Sequence, residues 1–217
     1  MLTPILACFL LCGQQVRVSV SALAAPDAHS QTRFLVMPGN PGTPVSDLQF
    51  QEYATEVGRA LVARGFEQAK SIEDVTLVVM MSWSISEPRT KIISGTTSGF
   101  ERVGTDKDPD TGLEHTRTKF VTRPTQDTQI YFTRSIDLKA FDQPAFKQTN
   151  APKELWEITL RSDGSQSDLR TVFPVIVAAA QPYLGESTKQ AIDAFVAADD
   201  VKVKYIRGEI TALPAKK

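Results

Sequence analysis

The sequence predicts an α+β fold: a mostly antiparallel sheet packed by two or three helices, with a long polar hairpin inserted. Two observations carry this. Segments of period-2 alternation at Gln129–Phe141 and Leu155–Arg161 follow one another without the regular helical crossovers of a parallel sheet. Two helical stretches, near 48–64 and 168–184, are each long enough to cover one sheet face.

Taken in order, Thr3–Cys12 is an apolar run too short for a membrane span, which needs roughly 20 residues. It reads as the core of a secretion signal. Ala22-Leu23-Ala24 has the small-x-small form of a cleavage site, so residues 1–24 are expected to be a signal peptide and the mature chain to begin near Ala25. Residues 25–32 are polar and are expected to form a mobile tail. From 33 to 217 a single domain is expected.

Arg33–Met37 reads as a short strand, closed by the turn-forming stretch Pro38-Gly39-Asn40-Pro41-Gly42-Thr43-Pro44. Asp47 is an N-cap candidate for a helix carrying Leu48, Phe50, Tyr53, Val57, Ala60 and Leu61, and Gly65 ends it. Val75–Ile85 is a strand rich in Val, Leu and Met. Residues 86–127 are polar, with enough alternation to predict one projecting hairpin whose tip is Gly104–Gly112. Two strands follow, at Gln129–Phe141 and Leu155–Arg161, joined by a loop containing Pro144 and Pro152. Ser165 or Ser167 is the expected cap of the next helix, with Asp168 in its first turn, and Pro174 lies deep for a first-turn proline. A second helix is expected over 187–198. The alternation of Val201-Lys202-Val203-Lys204-Tyr205-Ile206 then predicts an edge strand guarded by lysines.

The chain excludes several chemistries. Both cysteines, Cys8 and Cys12, lie in the leader, so the domain has no thiol nucleophile, disulfide framework or cysteine zinc site. Membrane attachment is expected only through an N-terminal lipid anchor at one of these cysteines. The formal charge of −1 becomes −2 without Arg17, and the basic residues are scattered among acids, which points away from nucleic acid.

Four acids carry the sharpest local motif. Asp106, Asp108, Asp110 and Glu114 place oxygen ligands at alternate positions, as a calcium loop does. Thr111 and Arg117 stand where an EF-hand loop carries its glycine and its bidentate glutamate, and a solvated acidic hairpin tip explains the same residues. His29 and His115 read as surface residues. Asp163 and Asp168 read as turn and cap residues rather than an acid pair for glycoside chemistry. Trp83 and Trp156 lie in apolar strands, where core packing is the commoner fate than ligand stacking.

The residues Phe50-x-x-Tyr53, Leu61, Gly65-Phe66, Asp74-Val75, Ile136-Asp137-Leu138 and Leu155-Trp156 give the chain a further aspect. It resembles, over about residues 32–185, the domain of unknown function 4136 family, bacterial envelope proteins that include many lipoproteins. The resemblance implies an α+β envelope domain and supplies no catalytic residues.

Together these readings predict an exported, non-catalytic domain of the periplasm or cell envelope, without a cofactor. It would bind an unidentified protein or envelope component through 86–127 or the 201–206 edge. One alternative is a calcium-dependent binding module built on Asp106, Asp108, Asp110 and Glu114. The other is a hydrolase whose carboxylate pair forms only in the fold.

Overall fold

The structure is a computed structural model, and it describes residues 15–214. The leader run and its two cysteines lie outside the described residues. The α+β expectation holds: helices cover a mainly antiparallel sheet. Two compact units divide the chain, one of residues 15–87 with 132–214 and one of residues 88–131.

The larger unit starts earlier than the sequence predicts. Gln15–Ala24 is a strand, β1, in which Val18, Val20 and Ala22 are buried. The other strands are β2 (Arg33–Pro38), β3 (Glu67–Gln68), β4 (Leu77–Ile85), β5 (Arg89–Lys107), β6 (Glu114–Asp142), β7 (Glu154–Gly164) and β8 (Ile192–Ala197). Their order is β3-β2-β4-β6-β7-β1-β8, with β5 paired off this path to β6. Only the β2–β3 and β2–β4 pairs are parallel.

Because β1 bonds to β7 on one side and β8 on the other, cleavage after Ala24 would remove an interior strand. The folded domain therefore begins at or before Gln15, not at Arg33. Alternation of Val16, Val18, Val20 and Ala22 with Arg17, Ser19 and Ser21 is the strand signature; the same small residues also imitate a cleavage site. Residues 25–32, expected as a mobile tail, form turns in which Ala28 is 2% exposed.

One sheet face is apolar. Register puts Phe34, Leu77, Val79, Met81, Ile136, Leu138, Ala140, Trp156, Ile158, Leu160, Val20 and Val18 on it, all buried. Three helices cover it: α1 (Leu48–Val62), α3 (Leu169–Ala180) and α4 (Val201–Arg207), each touching the other two. A short α2 (Gln143–Thr149) falls within the loop expected before β7. The opposite face is held by polar pairs instead. Lys139 and Glu157 stand 2.9 Å apart, Arg17 and Asp193 2.6 Å, and the Thr159 hydroxyl donates to Asp137 at 2.7 Å. This is the usual economy of an antiparallel sheet with one wet face.

Asp47 caps α1 as expected, its Oδ1 accepting from the Phe50 N–H at 2.8 Å, and Gly65 follows the helix at φ 92°. For α3 the cap is Asp168 itself, not Ser165 or Ser167; its Oδ1 accepts from the Arg170 N–H at 3.0 Å. Pro174 sits inside this helix, and almost every α3 side chain is buried, so packing offsets the lost backbone bond.

Two expectations near the C-terminus are overturned. Residues 192–197 form strand β8 rather than helix, because β1 stands ready to pair with them from Gln15↔Ala197 to Val20↔Ile192. Residues 201–206 are helical, not an edge strand. Asp200 caps that helix through the Lys202 N–H at 2.8 Å, Gly208 closes it at φ 80°, and Val203 and Ile206, three apart, are the buried pair.

The smaller unit is a two-stranded hairpin of β5 with the first part of β6. It is paired from Arg89↔Tyr131 to Lys107↔Glu114, with a bulge between Arg102 and Gly104. It therefore ends at Tyr131 rather than 127, and its turn is Asp108–Leu113. β6 runs unbroken where the sequence predicts a hairpin arm and a separate strand.

Candidate functional site

The predicted calcium residues occupy the hairpin end. Asp106 pairs across the strands with His115 and takes an ion pair from Arg117 at 3.2 Å. Asp108 accepts from the N–H groups of Asp110 at 2.8 Å and Thr111 at 3.0 Å, an Asx turn. Those amides, Thr111 first, hold its carboxyl below the usual carboxylate range. Gly112, at φ 72°, completes the turn, and Glu114 pairs with Lys107. Asp106 and Asp108 thus have separate partners, and no group of three or more His, Cys, Asp or Glu side chains placed to hold a metal ion occurs among the described residues.

Trp156, Trp83, His29 and Asp163 each contact a partner within the fold. Trp156 is 2% exposed. A register shift between Ala140 and Phe141 leaves Leu155 without an opposite residue, so two consecutive β7 side chains, Leu155 and Trp156, both reach buried positions. Trp83 is half-buried, edge-on to Tyr53 at 5.4 Å. His29 stacks on Phe66 at 5.8 Å, and Asp163 accepts from the Thr133 hydroxyl at 2.6 Å.

Two arrangements remain with unspent bonding capacity. The first is the hairpin. Phe100 and Phe120 face each other across it, ring centroids 5.3 Å apart, yet are 75% and 59% exposed. Ile92, Val103 and Ile130 are also exposed. β5 pairs with β6 alone, so its other edge presents free N–H and C=O groups. Natural edges are blunted by lysine, proline or charge. On β6 such residues are present: Arg123, Pro124 and Asp127. On β5 the run Ile92–Phe100 has neither charge nor proline.

The second is a cleft of about 450 Å³ lined by Glu52, Glu56, Asp168, Arg170, Thr171 and Arg207, where α1, the start of α3 and the end of α4 meet. Arg170 Nε lies 2.7 Å from Glu52 Oε2 and 2.9 Å from Oε1. Both Asp168 oxygens serve its helix cap, through the Arg170 N–H and the Thr171 hydroxyl. Arg207 reaches the Thr171 carbonyl and Glu209. Glu56 differs. It is 8% exposed, and its Oε2 is buried with no hydrogen-bond partner. Burial pushes its carboxyl up to about 7, Glu52 adds to the rise, and Arg59, Arg207 and Arg170 oppose it. Sequence reasoning missed Glu56, because its burial comes from α3 and α4 closing over α1. Of the three acids lining this cleft, Glu56 alone has no hydrogen-bond or ion-pair partner.

No protein-family model matches the chain, and no curated protein matches it. A solved PDZ domain protein from Parabacteroides distasonis is similar over 85% of this chain at 10% identity, with a TM-score of 0.41. This chain spans 39% of that protein's chain. A likeness at that level transfers neither fold family nor binding mode.

Proposed function

We propose that this is a non-catalytic protein-binding domain of the bacterial cell envelope, whose β5 edge receives an extended segment of a partner protein. The observation that carries the reading is the uncharged, proline-free edge Ile92–Phe100, flanked by exposed Phe100 and Phe120. Strand addition to such an edge draws affinity from main-chain hydrogen bonds and specificity from alternate side chains. A two-stranded ribbon is only marginally stable in water by itself, so a third strand and cover for the aromatic pair would stabilise it. The apolar run at 3–12 supports export, as does the family resemblance. With β1 integral to the sheet, any processing or lipid attachment falls before Gln15. No described helix is long and apolar enough to cross a membrane.

A photo-crosslinking residue placed at Thr97 on β5 or at Gln126 on β6, in the native cells, tests this. The expected result is one discrete adduct from Thr97, absent from Gln126 and lost in a Ser94→Lys/Thr96→Lys variant that keeps its circular dichroism. No adduct, an adduct of two copies of this chain, or one indifferent to the lysines would overturn the reading.

A further inference from the structure

Beside its polar pairs, the wet face of the sheet has an apolar corner. Register sets Leu35 of β2 beside Val78 of β4, Met37 beside Met80, and Phe141 of β6 on the other side of Val78. These side chains alternate with Phe34, Leu77, Val79 and Met81, which are buried under the helices, so they point the opposite way. Phe146 of α2 and Pro152 join Val78, Met80 and Phe141 in the walls of a pocket of about 370 Å³. Helix α2 buries none of its residues, and Met80 and Phe146 are 39% and 42% exposed. The solvated face of an antiparallel sheet normally carries polar side chains, so an apolar pocket there marks a surface that something covers.

The charges around the pocket select the occupant. Three lysines adjoin its walls: Lys139 pairs in register with Met80, Lys147 follows Phe146 in α2, and Lys153 follows Pro152. Lys139 is engaged by Glu157 and Lys153 by Asp27, whereas Lys147 has no ion pair among the described residues. Asp142, the acid in the lining, is buried and turns its Oδ1 to the Ala145 N–H as the cap of α2.

We infer that this pocket takes the alkyl chain of a free medium-chain fatty acid, whose carboxylate is held at the rim by Lys147. The volume lies near the lower end of the range of about 300–1,000 Å³ for small-molecule pockets, which suits one short chain and not a two-chain phospholipid. Met80 is unbranched and polarizable, and fits itself to a chain of no fixed shape. A carboxylate matches the lysines of the rim where a cationic amphiphile does not, and the Gln143 amide in the lining can donate to it.

The test titrates sodium decanoate, below its micelle concentration, into the protein in a calorimeter at pH 8, with sodium octanoate and decyltrimethylammonium bromide as controls. Decanoate is expected to bind one-to-one. Octanoate should bind about tenfold more weakly, because two methylenes fewer are buried, and the cation at least about tenfold more weakly. Met80→Asp puts a charge into the wall and should weaken decanoate at least about tenfold. Lys147→Glu reverses the rim and should weaken it at least about threefold, and as an exposed substitution on α2 it reads the site whatever Met80→Asp does to stability. Absence of saturable binding, affinity indifferent to chain length, equal binding of the cation, or affinity unchanged in Lys147→Glu or in a folded Met80→Asp would overturn the inference.

Discussion

Trp156 packs its ring against Phe66, 6.2 Å between centroids, while its Nε1 is buried without an acceptor. Truncation to Ala should therefore cost about 3–5 kcal/mol in urea unfolding. Trp156→Phe should cost much less, because it removes the orphan donor along with part of the ring. Glu56 sets the pH dependence. Its carboxyl stands at about 7 in the fold against an ordinary value of 4.5, so between those values the native state holds a proton that the unfolded chain has released. Stability then falls as pH rises from 4.5 through 7, by about 3 kcal/mol in all, and levels off above. Unfolding at pH 5 and pH 8 should show this loss in the native protein and not in Glu56→Gln. Gly164 gives a third case: a Cβ there would meet the buried Arg134 guanidinium at 2.6 Å, so Gly164→Ala should lower Tm. Asp47 and Trp156 could be read from sequence because local pattern decides a helix cap and an apolar strand. Glu56 and Arg134 could not, since nothing local marks a charged side chain that distant elements will bury.

At the scale of elements, β1 decides how its neighbours read, because β8 pairs with it alone. Once residues 15–24 are assigned to a leader, β8 has no partner, and an alanine-containing segment without a partner reads as helix. A six-residue alternation at 201–206 then outweighs the stronger markers, Asp200 before the segment and Gly208 after it. The elements whose signals are local and long, β4, α1, β7 and the second half of β6, are legible. Those that depend on pairing across most of the chain are not. A chain starting at Ala25 should accordingly lose its cooperative thermal transition, whereas one starting at Gln15 should keep it. The hairpin should behave in the opposite way. The Ser86 N–H donates to the Thr133 carbonyl at 2.8 Å, so the larger unit already brings the two ends together. Replacing residues 88–131 by a short Gly-Ser turn should leave the far-ultraviolet spectrum of that unit's sheet and its cooperative melt in place. Loss of the melt would show that the two units fold as one.

For the whole molecule, the larger unit closes its own core, with α1, α3 and α4 over one sheet face and paired polar side chains on the other. In the hairpin, Ile92, Ile93, Phe100, Val103, Leu113, Phe120 and Ile130 are exposed. Such exposed apolar and backbone bonding capacity marks an interaction element more than a stabilising one. The fold class was legible in composition and periodicity. The proposed binding edge was less so, because an open strand edge is a property of pairing and not of residue type. The most direct measurement is backbone amide hydrogen exchange on the crosslinked or co-purified complex, compared with the free domain. The β5 amides between Ile92 and Phe100 not bonded to β6 should slow by at least about tenfold, with the β6 edge from Lys119 to Asp127 unchanged. Protection confined to the larger unit, with the β5 edge exchanging as fast as in the free domain, would contradict it.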